Sequence, residues 1–288
     1  VSKYFADQPV IKGADVIYRP AGNAGEYAPL ATNPYKGCGH ECLYCYVPNA
    51  THIDRKLFNE AAVPRPGYLA RLRADAARHG AALRDGRLDD VTSQIFVTFS
   101  SDPFHLGDLQ HTLDTLEALG EFDLAFCTLS KGGQRALPFL SLYRPERDAY
   151  AATLTTLDDD FSRKWERRAA LPLDRIAALQ RFHEAGIFTW VSLEPTLDVE
   201  ASMNIVKATH RFVDHYKIGR ANYLKEITRT TDWRDYTLRV IDLCQRLCVS
   251  HYIKADLQEH LPPGYHNPLR VPQHHGVPVR IQERDDGR

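Results

Sequence analysis

The chain has 288 residues, 43% of them hydrophobic and 25% charged, the proportions of a folded domain long enough to bury a sizeable core. Lys and Arg number 36 against 37 Asp and Glu, so the charge balance demands no polyanionic partner. No run of about 18 apolar residues is present, so no membrane-spanning helix is expected. Val1 to Asp7 lack a signal-peptide pattern. Six cysteines, three of them in one loop, do not make a disulfide framework at this length and point to the reducing cytoplasm.

In chain order, residues 1–27 read as an extended N-terminal arm, and Tyr27 to Thr32 as a short first strand. Pro66 to Leu88 carries helical spacing (Leu69, Leu72, Ala76, Leu83), and Gln94 to Phe99 is a β-branched and aromatic run that predicts a buried strand. Leu109–Leu119 reads as helix, Leu124–Thr128 as strand and Gln134–Tyr143 as helix. Tyr150–Thr156 reads as strand, Leu173–Ala185 as helix and Phe188–Leu193 as strand. Ala201–Val213 (helix), His215–Ile218 (strand), Trp233–Cys248 (helix) and His251–Lys254 (strand) complete the series. Such alternation predicts α/β architecture with right-handed βαβ units and a parallel sheet. Six or seven units fit an incomplete TIM barrel better than a closed eightfold one. One domain is expected over 1–288, its core about 28–256, with an irregular tail from residue 261.

The chemistry is concentrated in Cys38-Gly39-His40-Glu41-Cys42-Leu43-Tyr44-Cys45, a C-x3-C-x2-C spacing. Clustered thiolates select zinc or an iron–sulfur cluster. A structural zinc site is closed by four ligands, so His40 or His52 would have to complete one. Three thiols alone suit a cluster with one iron open. Ligands of parallel α/β sheets bind beyond the carboxyl ends of the strands. There the sequence places Ser100 to Phe104, Ser130 to Gly133, Thr155 to Asp158, Ser192 to Pro195 and Lys217 to Tyr223.

With Tyr44 before the last cysteine, the spacing resembles the cluster loop of the radical S-adenosylmethionine (SAM) enzymes. Within that superfamily the chain is most similar to the spore photoproduct lyase-like, or DNA repair photolyase-like, branch, over roughly residues 28–222. The resemblance implies a partial (β/α)6-type barrel and a [4Fe–4S] cluster on Cys38, Cys42 and Cys45. It also implies reductive cleavage of SAM to a 5′-deoxyadenosyl radical that abstracts hydrogen from an unreactive carbon. Flavodoxin or ferredoxin is the implied reductant. Tyr44 and Tyr46 bracket the third cysteine as aromatics do in that branch; Ser101-Asp102 matches a pair whose serine touches SAM, and Lys131 resembles a lysine that binds the SAM carboxylate.

Ser130 and Thr155 join the expected cofactor-binding set by their place on the rim. Glu194 is expected to bind the SAM amine or ribose, or to act as an acid on substrate. Cys127 is either a hydrogen donor or a small core residue. Cys244 and Cys248, four apart on a predicted helix, share a face and read as core. Trp165-Glu166-Arg167-Arg168 reads as a substrate lid or a solvated turn, and His274-His275 as surface. Phe99 stands where spore photoproduct lyase has its hydrogen-donating cysteine, so repair of that lesion is not expected. The branch points to a nucleobase in DNA or RNA, with a small metabolite or peptide as the alternative. A non-catalytic zinc or iron–sulfur binding module is the rival of another class.

Overall fold

The computed structural model describes residues 9–89, 93–145 and 147–267. The start of the arm and the tail from residue 268, with His274 and His275, lie outside the described residues.

The predicted strands all form, and a short antiparallel pair that was not expected, β2 (Tyr35–Lys36) with β3 (Val63–Pro64), joins β1 (Leu30–Thr32), β4 (Ile95–Val97), β5 (Phe126–Ser130), β6 (Ala149–Thr153), β7 (Phe188–Ser192), β8 (His215–Ile218) and β9 (Ser250–Ile253). Seven of them make one sheet in the order β1-β4-β5-β6-β7-β8-β9, every neighbour parallel. Spatial order follows chain order, so each crossover steps the same way and the sheet curls into a partial barrel. The edges β1 and β9 remain unpaired with each other.

Period-two alternation decides what each strand contributes. Ala31, Phe96, Cys127, Ala149, Ala151 and Trp190 form a small cluster on one face. Ile95, Val97, Phe126, Tyr150, Val191 and Tyr216 join the larger core on the other. That core includes side chains of the helices Tyr68–Arg84, Gln110–Glu121, Pro172–Glu184, Val199–Thr209 and Trp233–Arg246. Tyr150 of β6 stacks on Phe182 at 3.9 Å and 6°, and each such side chain contributes about 1.5–3 kcal/mol by burial. Asp158, Asp198 and Asp232 start three helices by accepting the Phe161, Ala201 and Asp235 amides.

The arm spans both sheet edges. Tyr18 pairs with Ala31 beside β1. Fully buried Glu26 accepts from Tyr252 of β9 at 2.9 Å and from the Ala255 amide at 2.6 Å. Lys217, wholly buried in β8, donates to the Glu26 and Tyr27 carbonyls at 2.7 and 3.0 Å. This corrects the expectation that Lys217 stands on the rim. Burial pulls its ammonium down to about 7.

Three other expectations change. Gln134–Tyr143 is a 3-10 segment, Gly133–Leu142, with Pro138 inside it; proline removes a donor and clashes with the preceding turn, so an α-helix does not form. Trp165 to Arg168 is a solvated turn only in part: Trp165 closes the capped helix Asp159–Trp165, Arg167 and Arg168 are exposed in a turn, but Glu166 is buried. The last long helix ends at Arg246, so Cys248 lies beyond it, exposed and at φ 55°, while Cys244 is buried.

Candidate active site

The three-cysteine loop leaves the sheet at β1 and is held on every side by backbone. Asn33 accepts at its Oδ1 from the Thr98 hydroxyl and from the Phe99 and Ser100 amides, at 2.6, 2.9 and 3.1 Å. This fixes the loop's entry to the end of β4. Gly37 sits at φ 80°, and a Cβ there would meet the Ala61 carbonyl at 2.2 Å, so only glycine fits. The Cys38 amide donates to Phe58 O at 2.8 Å and the Leu43 amide to Trp165 O at 2.9 Å. Cys42 pairs with Glu166 in an antiparallel bridge. Cys38, Cys42 and Cys45 are all free thiols, and all line one cavity of 460 Å³.

His40, the imidazole best placed to close a zinc site, is already committed. Its Nδ1 lies 3.3 Å from Asp102 and its Nε2 3.0 Å from Arg135. His52 is exposed at the end of a short helix. Among the described residues, no three His, Cys, Asp or Glu side chains gather to hold a single metal ion.

Asp102 ties three segments together. It accepts from the Phe104 amide and the Ser130 hydroxyl at 2.8 and 2.6 Å, and from the Lys131 amide at 2.7 Å, besides facing His40. Burial by itself would raise its carboxyl, but His40 and these donors outweigh burial and hold it well below the usual carboxylate range. A carboxyl depressed in the fold stabilises above its unfolded pKa and loses that contribution as pH falls. Asp102→Asn is therefore expected to cost most near neutrality, the deficit narrowing below about pH 4. Urea unfolding of both proteins at about pH 7 and about pH 3 checks this, and equal deficits would contradict it.

On the other flank of the loop, the Tyr44 hydroxyl donates to Glu166, which pairs with Arg175 at 2.5 Å. Arg175 is 1% exposed and also donates to Ala170 O at 2.7 Å and Thr153 O at 3.0 Å. The Lys131 Nζ lies 5.7 Å from the Tyr44 ring centre. Burial alone would lower this ammonium, but Cys42 and Glu166 hold it above its ordinary value. Burial pushes the Cys42 thiol up to about 12, Lys131 being the cation that opposes this most.

The far side of the cavity is built by the arm and the last strands. The Tyr27 hydroxyl donates to Glu194 at 2.7 Å, Lys254 ion-pairs with the same oxygen, and Asn222 donates to the other at 3.2 Å. Burial would raise the Glu194 carboxyl, but the Lys254 ammonium outweighs this and lowers it. Glu194 is thus an acceptor near neutral pH, better suited to binding a donor than to giving up a proton. Phe96 and Phe99 provide apolar wall.

Of the residues expected from the sequence, Tyr44, Tyr46, Ser101, Asp102, Lys131 and Glu194 line the cavity with the three cysteines. Ser130 supports Asp102 from behind. Thr155 is buried off the wall, its hydroxyl without a hydrogen-bond partner among the described residues. Cys127 lies in the inner strand cluster, away from the wall, with the Trp190 indole N–H donating to it at 3.2 Å. The cavity also contains Ser192, from the rim segment expected after its strand, and Tyr27, Thr153 and Lys254, which sequence reasoning did not single out. Lys254, the last residue of a predicted strand, was the most legible of these.

No protein-family model matches the chain, and no curated protein matches it by sequence. Its fold does find relatives. A tyrosine-to-phenylalanine variant of spore photoproduct lyase superposes with a TM-score of 0.64 at 12% identity, covering 85% of this chain and 80% of that one. The chain has the fold of spore photoproduct lyase. A second spore photoproduct lyase structure, a cysteine-to-alanine variant with dinucleoside spore photoproduct, gives 0.61 at 14% identity with the same coverage. Streptococcus suis SuiB bound to S-adenosylmethionine gives 0.57 at 14% identity, over 82% of this chain. The chain spans about half of SuiB, 53%.

The residues present suit the S-adenosylmethionine seen bound to SuiB and the iron–sulfur cluster expected from the cysteine spacing. Three thiols face the cavity without a free imidazole to close the set. The Ser101 hydroxyl is buried at the wall with no hydrogen-bond partner among the described residues, and Lys131 places a cation beside the loop.

Proposed function

We propose that the chain is a radical SAM enzyme acting on a nucleobase in DNA or RNA. The observation that carries the reading is the cavity lined by Cys38, Cys42 and Cys45, where both ring nitrogens of His40 are already engaged by Asp102 and Arg135. Cys38, Cys42 and Cys45 would hold a [4Fe–4S] cluster, which would supply the one-electron reducing chemistry that turns SAM into a hydrogen-abstracting radical. The rest is the protein's work of orientation and exclusion.

Lys131 is the cation for the SAM carboxylate, and Ser101 offers its unused hydroxyl. Thr153 and Ser192, at the ends of β6 and β7, offer two more. Tyr27, Phe96 and Phe99 keep water from the reacting carbon. Glu194, held as a carboxylate between Lys254 and Asn222, accepts a hydrogen bond from substrate or ribose. Flavodoxin or ferredoxin supplies the electron. A nucleobase is favoured by likeness to a lyase seen with a dinucleoside photoproduct, and Phe99 at the donor-cysteine position means that the product differs from that lyase's. A peptide is the second reading, since SuiB is also known bound to its precursor peptide.

Anaerobic purification should give iron and sulfide bound to the chain, and dithionite with SAM should release 5′-deoxyadenosine. A well-folded protein that holds zinc and releases none would sink the proposal.

A further inference from the structure

Two tyrosines at the cavity wall are left facing outward. Tyr46, next to the third cysteine, is 43% exposed, and Tyr223, in the loop beyond β8, is 76% exposed. Their rings stack at 6.0 Å and 17° although they come from opposite ends of the sheet order, and both line the cavity. Tyr223 stands at φ 66°, a backbone region that bulky residues rarely adopt. An exposed aromatic in that conformation adds little to folding, so its placement needs another reason.

Two arginines are hydrogen-bonded to the residues that precede the pair. Arg55 donates to Cys45 O at 2.7 Å, beside Tyr46. Arg220 donates to the Asn222 side chain at 3.3 Å, beside Tyr223. Asp54, the acid next to Arg55, is spent on the Lys56 and Leu57 amides at its helix start. Exposed π-faces between cations are the chemistry that holds a strand of nucleic acid: the rings stack on a base and the guanidinium groups meet phosphate.

We infer that Tyr46 and Tyr223, with Arg55 and Arg220, form a nucleotide subsite at the cavity mouth that holds one unpaired base of a single strand. The inference rests on the radical SAM reading of the cavity and names its substrate as a polynucleotide rather than a free metabolite or a peptide. A base inside a duplex presents no free face to such a pair, so single strands bind in preference to duplex.

The test uses the iron-loaded protein under anaerobic conditions and a fluorescein-labelled oligothymidylate, with affinity read by anisotropy over a range of KCl concentrations. Tyr223→Asn, chosen because asparagine tolerates a left-handed backbone, is expected to weaken binding by about tenfold, and Tyr223→Phe to retain it, since stacking is what is lost. Arg220→Gln is expected to lower the slope of log affinity against log salt by about 0.7. Deoxyadenosine release by the unaltered protein is measured alongside. Its absence would defeat the reading of the cavity, whatever the oligonucleotide does. If release occurs, the subsite is overturned by any of three results: no salt-dependent binding, equal affinities for Tyr223→Asn and Tyr223→Phe, or an unchanged slope for Arg220→Gln.

Discussion

Cys42→Ala is expected to strip the chain of cluster iron and to abolish deoxyadenosine formation, while His40→Gln keeps most of its iron. The two residues are two apart in the loop, so the contrast does not come from distance. It comes from what each side chain faces. Cys42 opens on the cavity, whereas both ring nitrogens of His40 are turned into the protein, toward Asp102 and Arg135. Removing a thiolate from a three-thiol set leaves too few donors, and the deficit cannot be made up by a neighbour. Iron and sulfide analysis of anaerobically purified variants decides the matter. If His40→Gln loses its metal as completely as Cys42→Ala, the imidazole is a fourth ligand and the open-iron account fails.

The second large effect is on stability. Arg175→Met is expected to destabilise the fold by about 3–5 kcal/mol, because it leaves the Glu166 carboxylate buried without its counter-charge. That is a substantial part of the roughly 5–15 kcal/mol that a domain commands in total. The loss should also loosen the cluster loop, since Glu166 pairs with Cys42 through backbone and accepts the Tyr44 hydroxyl. Tyr44→Phe removes one hydrogen bond to that carboxylate and should cost less, about 1.5–3 kcal/mol. Adding Glu166→Leu to Arg175→Met removes the stranded charge and should recover part of the deficit. Urea unfolding monitored by circular dichroism reads all three. A double variant less stable than Arg175→Met would show that the ion pair is not the source of the loss.

The pair also shows what one-dimensional reading misses. Trp165-Glu166-Arg167-Arg168 looks like a solvated charge run, and nothing within it says that Glu166 alone turns inward. The partner carried a signal that could have been used. Arg175 shares a helix face with Ala178, Leu179 and Phe182, all buried, and a cation on an apolar stripe must find an anion inside. Lys217 sent a similar signal, placed within a strand whose neighbours are buried. Reading it as a rim residue followed the strand-end rule without asking which way its side chain points.

The sequence by itself determined the local terms. Cysteine spacing is a property of one short loop, and strand and helix runs follow from periodicity, so the donor set and the α/β order are written in neighbouring residues. Where periodicity was sound but a single residue broke the geometry, as with Pro138, the element changed type without moving. Only the tertiary structure decided the pairings across long separations: His40 with Asp102, Glu166 with Arg175, Tyr27 and Lys254 with Glu194, and Tyr46 with Tyr223. Burial is the reason. A charged or aromatic side chain is matched to its partner by the dielectric and shape of the place where the chain brings the two together, and that place exists only once the sheet has curled and the arm has closed against its edges.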